Sequence, residues 1–398
     1  MRYRNTSMQA ARWSWMAHGA LPLAALWLTA GVAHVQGQAA PSFEDVARRA
    51  EAALQVRPAE AATLYRQAVE LRPEWAEGWF YLGASLYDLR RFAEARDAFR
   101  KEVKLAPRMA PGWAFLGLAE SQLNDPEQAL ADIRRGEALG IRGNHDFEVV
   151  VRLKAAVLLI KASAFDEALL QMQPLADGAE NSTAVSDTMG LCALAIPHTI
   201  EELSDERRAV VRQAGKAAWA LVSHRPEDAE AQYRQLLERY PDAPGVHYAH
   251  ALYLLETDLA AALAELEKEV RNTPKHWPAL ILLSTLRCRQ GTPELALESL
   301  REALKLVPAR YLWLCHAEMG RAYLTSGNAA AAVTELETAL RLEPGNAQVH
   351  YLMAQAYRRA GRNQDAQKQT LEFEKLKAQQ DPAAVPEYQR LVLGGGRN

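Results

Sequence analysis

Few side chains in this 398-residue sequence stand at spacings that could do chemistry. His247 and His250 form an H-x-x-H pair three residues apart on one helical face, the spacing at which two imidazoles can share a metal ion. No H-E-x-x-H motif and no evident third ligand accompanies them. Cys192, Cys288 and Cys315 are an odd number, and no C-x-x-C occurs. Cys315–His316 therefore lacks the upstream cysteine of a haem attachment site, and structural thiols are the expectation. G-x-S-x-G, G-x-x-x-x-G-K-[ST] and G-x-G-x-x-G are all absent. Glu265, Glu267 and Glu269 splay around a predicted helix, as on a solvated face. These residues point away from an enzyme and imply no cofactor and no metal.

The elements that carry these residues are helical. Alanine and leucine are abundant and β-branched runs scarce, which favours helix. Formal charge is −3; without Arg2, Arg4 and Arg12, the only charges of the first 39 residues, 43 basic side chains face 49 acidic ones. An acidic chain argues against nucleic acid as partner. Residues 1–39 read as a secretory signal: three arginines, an apolar stretch from Ala20 to Val35, and small residues before Ala40. The apolar run is about 15 residues, short of the roughly 20 a spanning helix wants. Export to the periplasm or beyond is expected, with an uncleaved membrane anchor as the alternative.

Periodicity organises the rest. Trp79, Leu82, Gly83, Ala95, Phe99 and Pro107 follow W-x2-L-G, then A-x3-F, then P, and Trp113, Leu116, Gly117, Ala129 and Ile133 repeat the pattern 34 residues on. The small-residue position recurs as Ala61, Ala95, Ala129, Ala168, Ala229, Ala262, Ala296, Ala332 and Ala366. Prolines at 73, 107, 241, 274, 308 and 344 keep step, each placed to end a second helix. Glycine and alanine in such a pattern let two helices approach closely.

The sequence resembles the tetratricopeptide repeat family through these positions. The resemblance implies an all-α, right-handed α-solenoid of helix-turn-helix repeats, with units starting near residues 42, 76, 110, 149, 210, 243, 277, 313 and 347. Residues 40–182 form an N-terminal block, 183–209 a degenerate repeat or insertion, 210–380 a C-terminal block and 381–398 a flexible tail. In this register His247, His316 and His350 stand where Trp79 and Trp113 stand, and His250 at the Leu82 position, so histidine replaces a packing tryptophan.

The resemblance also implies a non-catalytic scaffold for protein–protein interaction, taking a peptide or partner helix on an inner wall built from first helices. Positions two, five, nine, twelve and thirteen of each unit would face it. These give Phe80, Tyr87 and Asp88, then Tyr248, Leu252 and Glu256, then Arg289, then Arg321, then Tyr351, Gln355, Arg358 and Arg359. Phe80 and Ala114 occupy positions where the family's carboxylate clamp needs Lys or Asn, so a chaperone tail is not the expected partner. The alternative is a cell-envelope glycan or other polymer, gripped by Trp219, Tyr248 and Tyr351.

Overall fold

The computed structural model describes residues 41–141, 145–176 and 182–379. The signal-like residues 1–39 and the tail 381–398 lie outside the described residues. Among those described there are nineteen α-helices, three short 3-10 turns and no strand. No helix among them is long and apolar enough to cross a membrane.

The chain divides into two compact units between Leu158 and Leu159. This is earlier than the break expected at 183–209. The first unit holds α1 (Phe43–Ala53), α2 (Pro58–Leu71), α3 (Ala76–Asp88), α4 (Phe92–Leu105), α5 (Ala110–Gln122), α6 (Pro126–Leu139) and most of α7 (His145–Lys161). Sequence-adjacent helices pair as antiparallel hairpins. Their shared core is aromatic. Phe115 stacks on Phe99 at 5.6 Å and on Phe147 at 4.9 Å, and Phe80 meets Phe115 edge-on at 5.6 Å.

The second unit holds α8 (Phe165–Met172), α9 (Thr183–Ala193), α10 (Asp205–Val222), α11 (Pro226–Arg239), α12 (Val246–Leu254) and α13 (Leu259–Asn272). It continues with α14 (Trp277–Arg289), α15 (Pro293–Leu304), α16 (Leu312–Thr325), α17 (Ala329–Leu342), α18 (Ala347–Arg359) and α19 (Asn363–Gln379). Again each helix packs on its neighbour in sequence. All nine alanines of the small-residue series are at most 2% exposed, as close helix approach demands. The prolines follow helix ends, and the carbonyls of Pro73 and Pro107 accept the indole N–H of Trp79 (2.8 Å) and Trp113 (3.0 Å).

A second periodic marker is the turn between paired helices. Arg90, Asn124, Ser163, Ala195 and His224 have left-handed φ between 49° and 62°, and Gly291, Gly327 and Gly361 hold the same place with φ of 75–79°. Five turns thus carry a side chain where glycine is unstrained. His224 is exposed, so His224→Gly is expected to stabilise the second unit by about 0.5–1 kcal/mol. An unchanged or lower urea midpoint would show that the imidazole makes a compensating contact.

Ala195 assigns α9 as a first helix that turns like the others, but no second helix follows it. The chain passes instead through the 3-10 turn Ile200–Glu202, capped by Thr199 and Glu202, into the long α10. Two first-type helices therefore pack directly on each other, through Gly190 and Gly215. A Cβ at Gly190 would stand 1.9 Å from the Val211 carbonyl oxygen, and one at Gly215 1.8 Å from that of Ser186.

Candidate partner-binding face

The histidines come first, because they carried the one metal hypothesis. His247 Nδ1 lies 2.6 Å from Glu265 Oε2, His250 Nδ1 lies 3.4 Å from the same oxygen, and Lys268 Nζ sits 2.7 Å from Glu265 Oε1. Burial would raise the Glu265 pKa, but the hydrogen bonds from His247 and Lys268, with His250 close by, outweigh it and hold the carboxyl well below its usual range. His316 pairs in the same way with Glu335 at 2.7 Å, and His350 with Gln369 at 2.6 Å. His350 Nε2 also lies 2.9 Å from the Pro344 carbonyl, the bond that Trp79 and Trp113 make to their prolines. His350 thus replaces tryptophan in packing and in hydrogen bonding alike. Among the described residues no group of three or more His, Cys, Asp or Glu is arranged to hold a metal.

His350→Ala is accordingly expected to lower stability by about 1–2 kcal/mol, since it orphans a carbonyl and an amide. His350→Trp is expected to stay within about 1 kcal/mol of wild type. Thermal melts of the two variants check this; equal losses would contradict the substitution.

The cysteines are free and buried. Burial pushes Cys288 and Cys315 up to about 12 and Cys192 higher still, so none is a ready nucleophile.

The residues expected to face a partner fall into two groups. Phe80 is 2% exposed and Tyr87 is buried beside Phe92 and Phe115, so both are core residues of the first unit rather than groove residues. Position five there meets the next repeat's first helix, and a large aromatic side chain is swallowed by that junction. Asp88 is half-buried. In the second unit Tyr248 is buried against His276, with ring centroids 4.8 Å apart, and Leu252 is half-buried in the apolar core. Glu256, Arg289, Arg358 and Arg359 are exposed, while Arg321 and Gln355 are half-buried. Tyr351 is 37% exposed and leans on Phe373 at 5.4 Å. Arg358 donates to Thr370 Oγ1 and Arg359 to the Leu324 carbonyl, so both are tied to the repeat edge. Trp219 is 2% exposed, which removes it from any polymer-binding surface.

Within the second unit these first helices frame a small cleft, partly open to solvent. Its wall includes Tyr248, Trp277, Ile281, Leu282, Tyr311 and Leu314, and the turn leading into α8 closes one side with Ser163, Phe165 and Asp166. Phe165 sits 6.5 Å from the Trp277 ring, which in turn lies 5.3 Å from Tyr311. Arg310 fastens the turn: Nη2 is 3.0 Å from Glu167 Oε1 and Nη1 donates to the Ala162 carbonyl at 3.4 Å. Burial, then the nearby Asp166 carboxylate, raise the Tyr248 and Tyr311 hydroxyls above their usual range, so both stay protonated as donors. His276 orients this wall. Its Nδ1 accepts the Ala279 N–H and so caps α14, while Nε2 donates to the Leu194 carbonyl at 3.3 Å.

Sequence reasoning missed Trp277, Tyr311 and Phe165. Trp277 opens a unit, a position the family register assigns no partner-facing role. Phe165 reaches the cleft across more than a hundred residues of chain, which no local pattern encodes.

The sequence matches the tetratricopeptide repeat family over residues 55–110, 214–275 and 318–372. Those stretches contain six of the nine alanines, five of the six prolines and the Trp79–Pro73 bond described above. The chain is a tetratricopeptide-repeat protein. A comparison with curated proteins finds no match. Among solved structures, the repeat protein is similar to MamA residues 41 to the end from Desulfovibrio magneticus RS-1, at 18% identity over 45% of this chain and 98% of that one, with a TM-score of 0.39. A MamA AMB-1 structure aligns at 18% identity over 42% and 99% of the two chains, with a TM-score of 0.37. The repeat assignment rests on the family match and the helix packing, not on these likenesses. Repeat arrays of this family serve generally as scaffolds for protein–protein interaction.

Proposed function

We propose that this repeat protein is a non-catalytic scaffold that binds a peptide or helical segment of another protein on the first-helix face of its second unit. The observation that carries this reading is the aromatic cleft between Tyr248, Trp277, Ile281 and Tyr311, with Arg289 and Arg321 two turns further along the helices that carry Ile281 and Leu314. Interfaces concentrate their binding energy in aromatic and arginine side chains set around a desolvated centre, which is the composition found here. In the first unit Phe80 and Tyr87 are spent on the core instead.

Affinity capture from the native host, with crosslinking and mass spectrometry, tests the reading. The expected result is a partner retained by wild type and reduced at least tenfold by Tyr311→Ala, a half-buried position on the cleft wall. Failure to retain any protein, or retention indifferent to Tyr311→Ala, would overturn it. The polymer alternative loses Trp219, which is buried and does not line the cleft.

We further propose export, on the strength of the arginine-led apolar segment at residues 20–35. N-terminal sequencing of the mature protein is expected to begin near Ala40; recovery of Met1 would contradict cleavage.

A further inference from the structure

The first-helix face carries an imbalance of charge that its own hydrogen bonds leave unresolved. Arg289 ends α14 exposed, and it makes no hydrogen bond or ion pair among the described residues. Arg321, on the adjacent first helix α16, contacts Glu318 through Nε, at 3.2 Å to Oε2, while its Nη2 is buried with no acceptor. Glu318 is fully buried and also takes the Thr285 hydroxyl at 3.0 Å. Arg289 and Arg321 each stand one turn beyond the Thr285–Glu318 hydrogen bond that joins their two helices. Of the two, Arg321 alone holds the Glu318 carboxylate, so Arg289 has no counter-charge and a planar edge of Arg321 is left without its oxygen acceptor.

The pair stands at a set distance from the cleft. Ile281 on the cleft wall and Arg289 belong to the same helix, eight residues apart, so they are separated by about 12 Å along its axis. An extended chain covers about 12 Å in roughly four residues. The chain's own turn into α8 places Phe165 beside Trp277 at the cleft, and two residues on the Glu167 carboxylate meets Arg310.

We propose that this face selects a partner peptide that carries an apolar anchor, seated in the cleft, and an acidic side chain about four residues away, received by the exposed Arg289 with Arg321 beside it. The inference rests on the scaffold reading above and names the chemistry of its partner. A basic or neutral segment would leave the guanidinium pair desolvated without a counter-charge, which disfavours it.

The test is selection of a random twelve-residue peptide library, displayed on phage, against the immobilised full chain and against Arg289→Glu. That substitution alters an exposed, unpaired side chain, and unchanged thermal melting confirms the fold; Arg321→Gln is the second variant. The expected result is enrichment of peptides with an aromatic or large aliphatic residue and Asp or Glu about four positions apart. Binding of those peptides should fall at least tenfold on Arg289→Glu and on Arg321→Gln. Peptides that enrich without an acidic preference, or that bind Arg289→Glu equally well, overturn the acidic-partner inference and leave the scaffold reading standing. No enrichment on wild type overturns both.

Discussion

Glu102→Gln is expected to stabilise the first unit at pH 8.5 and to flatten its dependence on pH. Glu102 is 0% exposed, and neither carboxylate oxygen has a hydrogen-bond partner. Burial alone pushes its pKa up to about 8. In the unfolded chain a glutamate titrates near 4.3. Between those values the folded protein holds a proton that the unfolded chain has released, so stability is highest below about pH 4.3 and declines as pH rises toward 8. The shift corresponds to a loss on the order of 4–5 kcal/mol across that window, an upper figure because water and side-chain movement would relieve part of it. Glutamine keeps the shape of the protonated acid and cannot ionise. Glu120 adds a smaller effect of the same sign: burial and its neighbour Asp132 raise it to about 7, against the opposing pull of Arg100. Urea titrations of wild type and variant at pH 6 and 8.5 measure the difference. A wild-type stability that rises over this range would contradict the buried, partnerless carboxyl.

Gly215→Val is expected to be the most damaging single substitution in the second unit. The helices α9 and α10 cross where each presents a glycine to the other's backbone, and the atoms a Cβ would strike are carbonyls of Ser186 and Val211. Backbone cannot swing aside as a flexible side chain can, so the helices must separate and abandon the packing of Val185, Met189 and Val211. A loss of about 3–5 kcal/mol follows, enough to unfold a marginal unit. Gly190→Ala should act in the same direction. Gly345→Ala is the control, because nothing lies within 4 Å of its would-be Cβ, and it should change stability by less than about 0.5 kcal/mol. Limited proteolysis is expected to cut Gly215→Val rapidly between residues 194 and 204, while wild type resists. A variant as stable as the control would mean that α9 does not pack on α10 as described.

The fold was largely legible because each repeat solves the same local problem. Close approach needs Ala at one position, helix termination needs Pro at another, and both leave a period of about 34 in the sequence. The same register explained His247, His316 and His350, whose bonds to Glu265, Glu335 and Gln369 show one structural role used three times. The turn residues were less legible, since the left-handed position tolerates Arg90, Asn124 and His224 as well as glycine. The site was least legible. A register of partner-facing positions tells which direction a side chain leaves the helix, not whether the next repeat covers it. Phe80 leaves in the expected direction and is covered; Arg289 leaves in the same direction and is open. Trp277, Tyr311 and Phe165 meet only through tertiary structure.

The central claim is that the first-helix face of the second unit meets the partner. It is tested most directly by placing a photo-crosslinking amino acid at Arg289, exposed on that face, and separately at Glu302, exposed on the second helix α15. Irradiation in the native host should yield a discrete adduct from position 289 and none from position 302. An adduct from 302 alone, or equal adducts from both, would contradict the account.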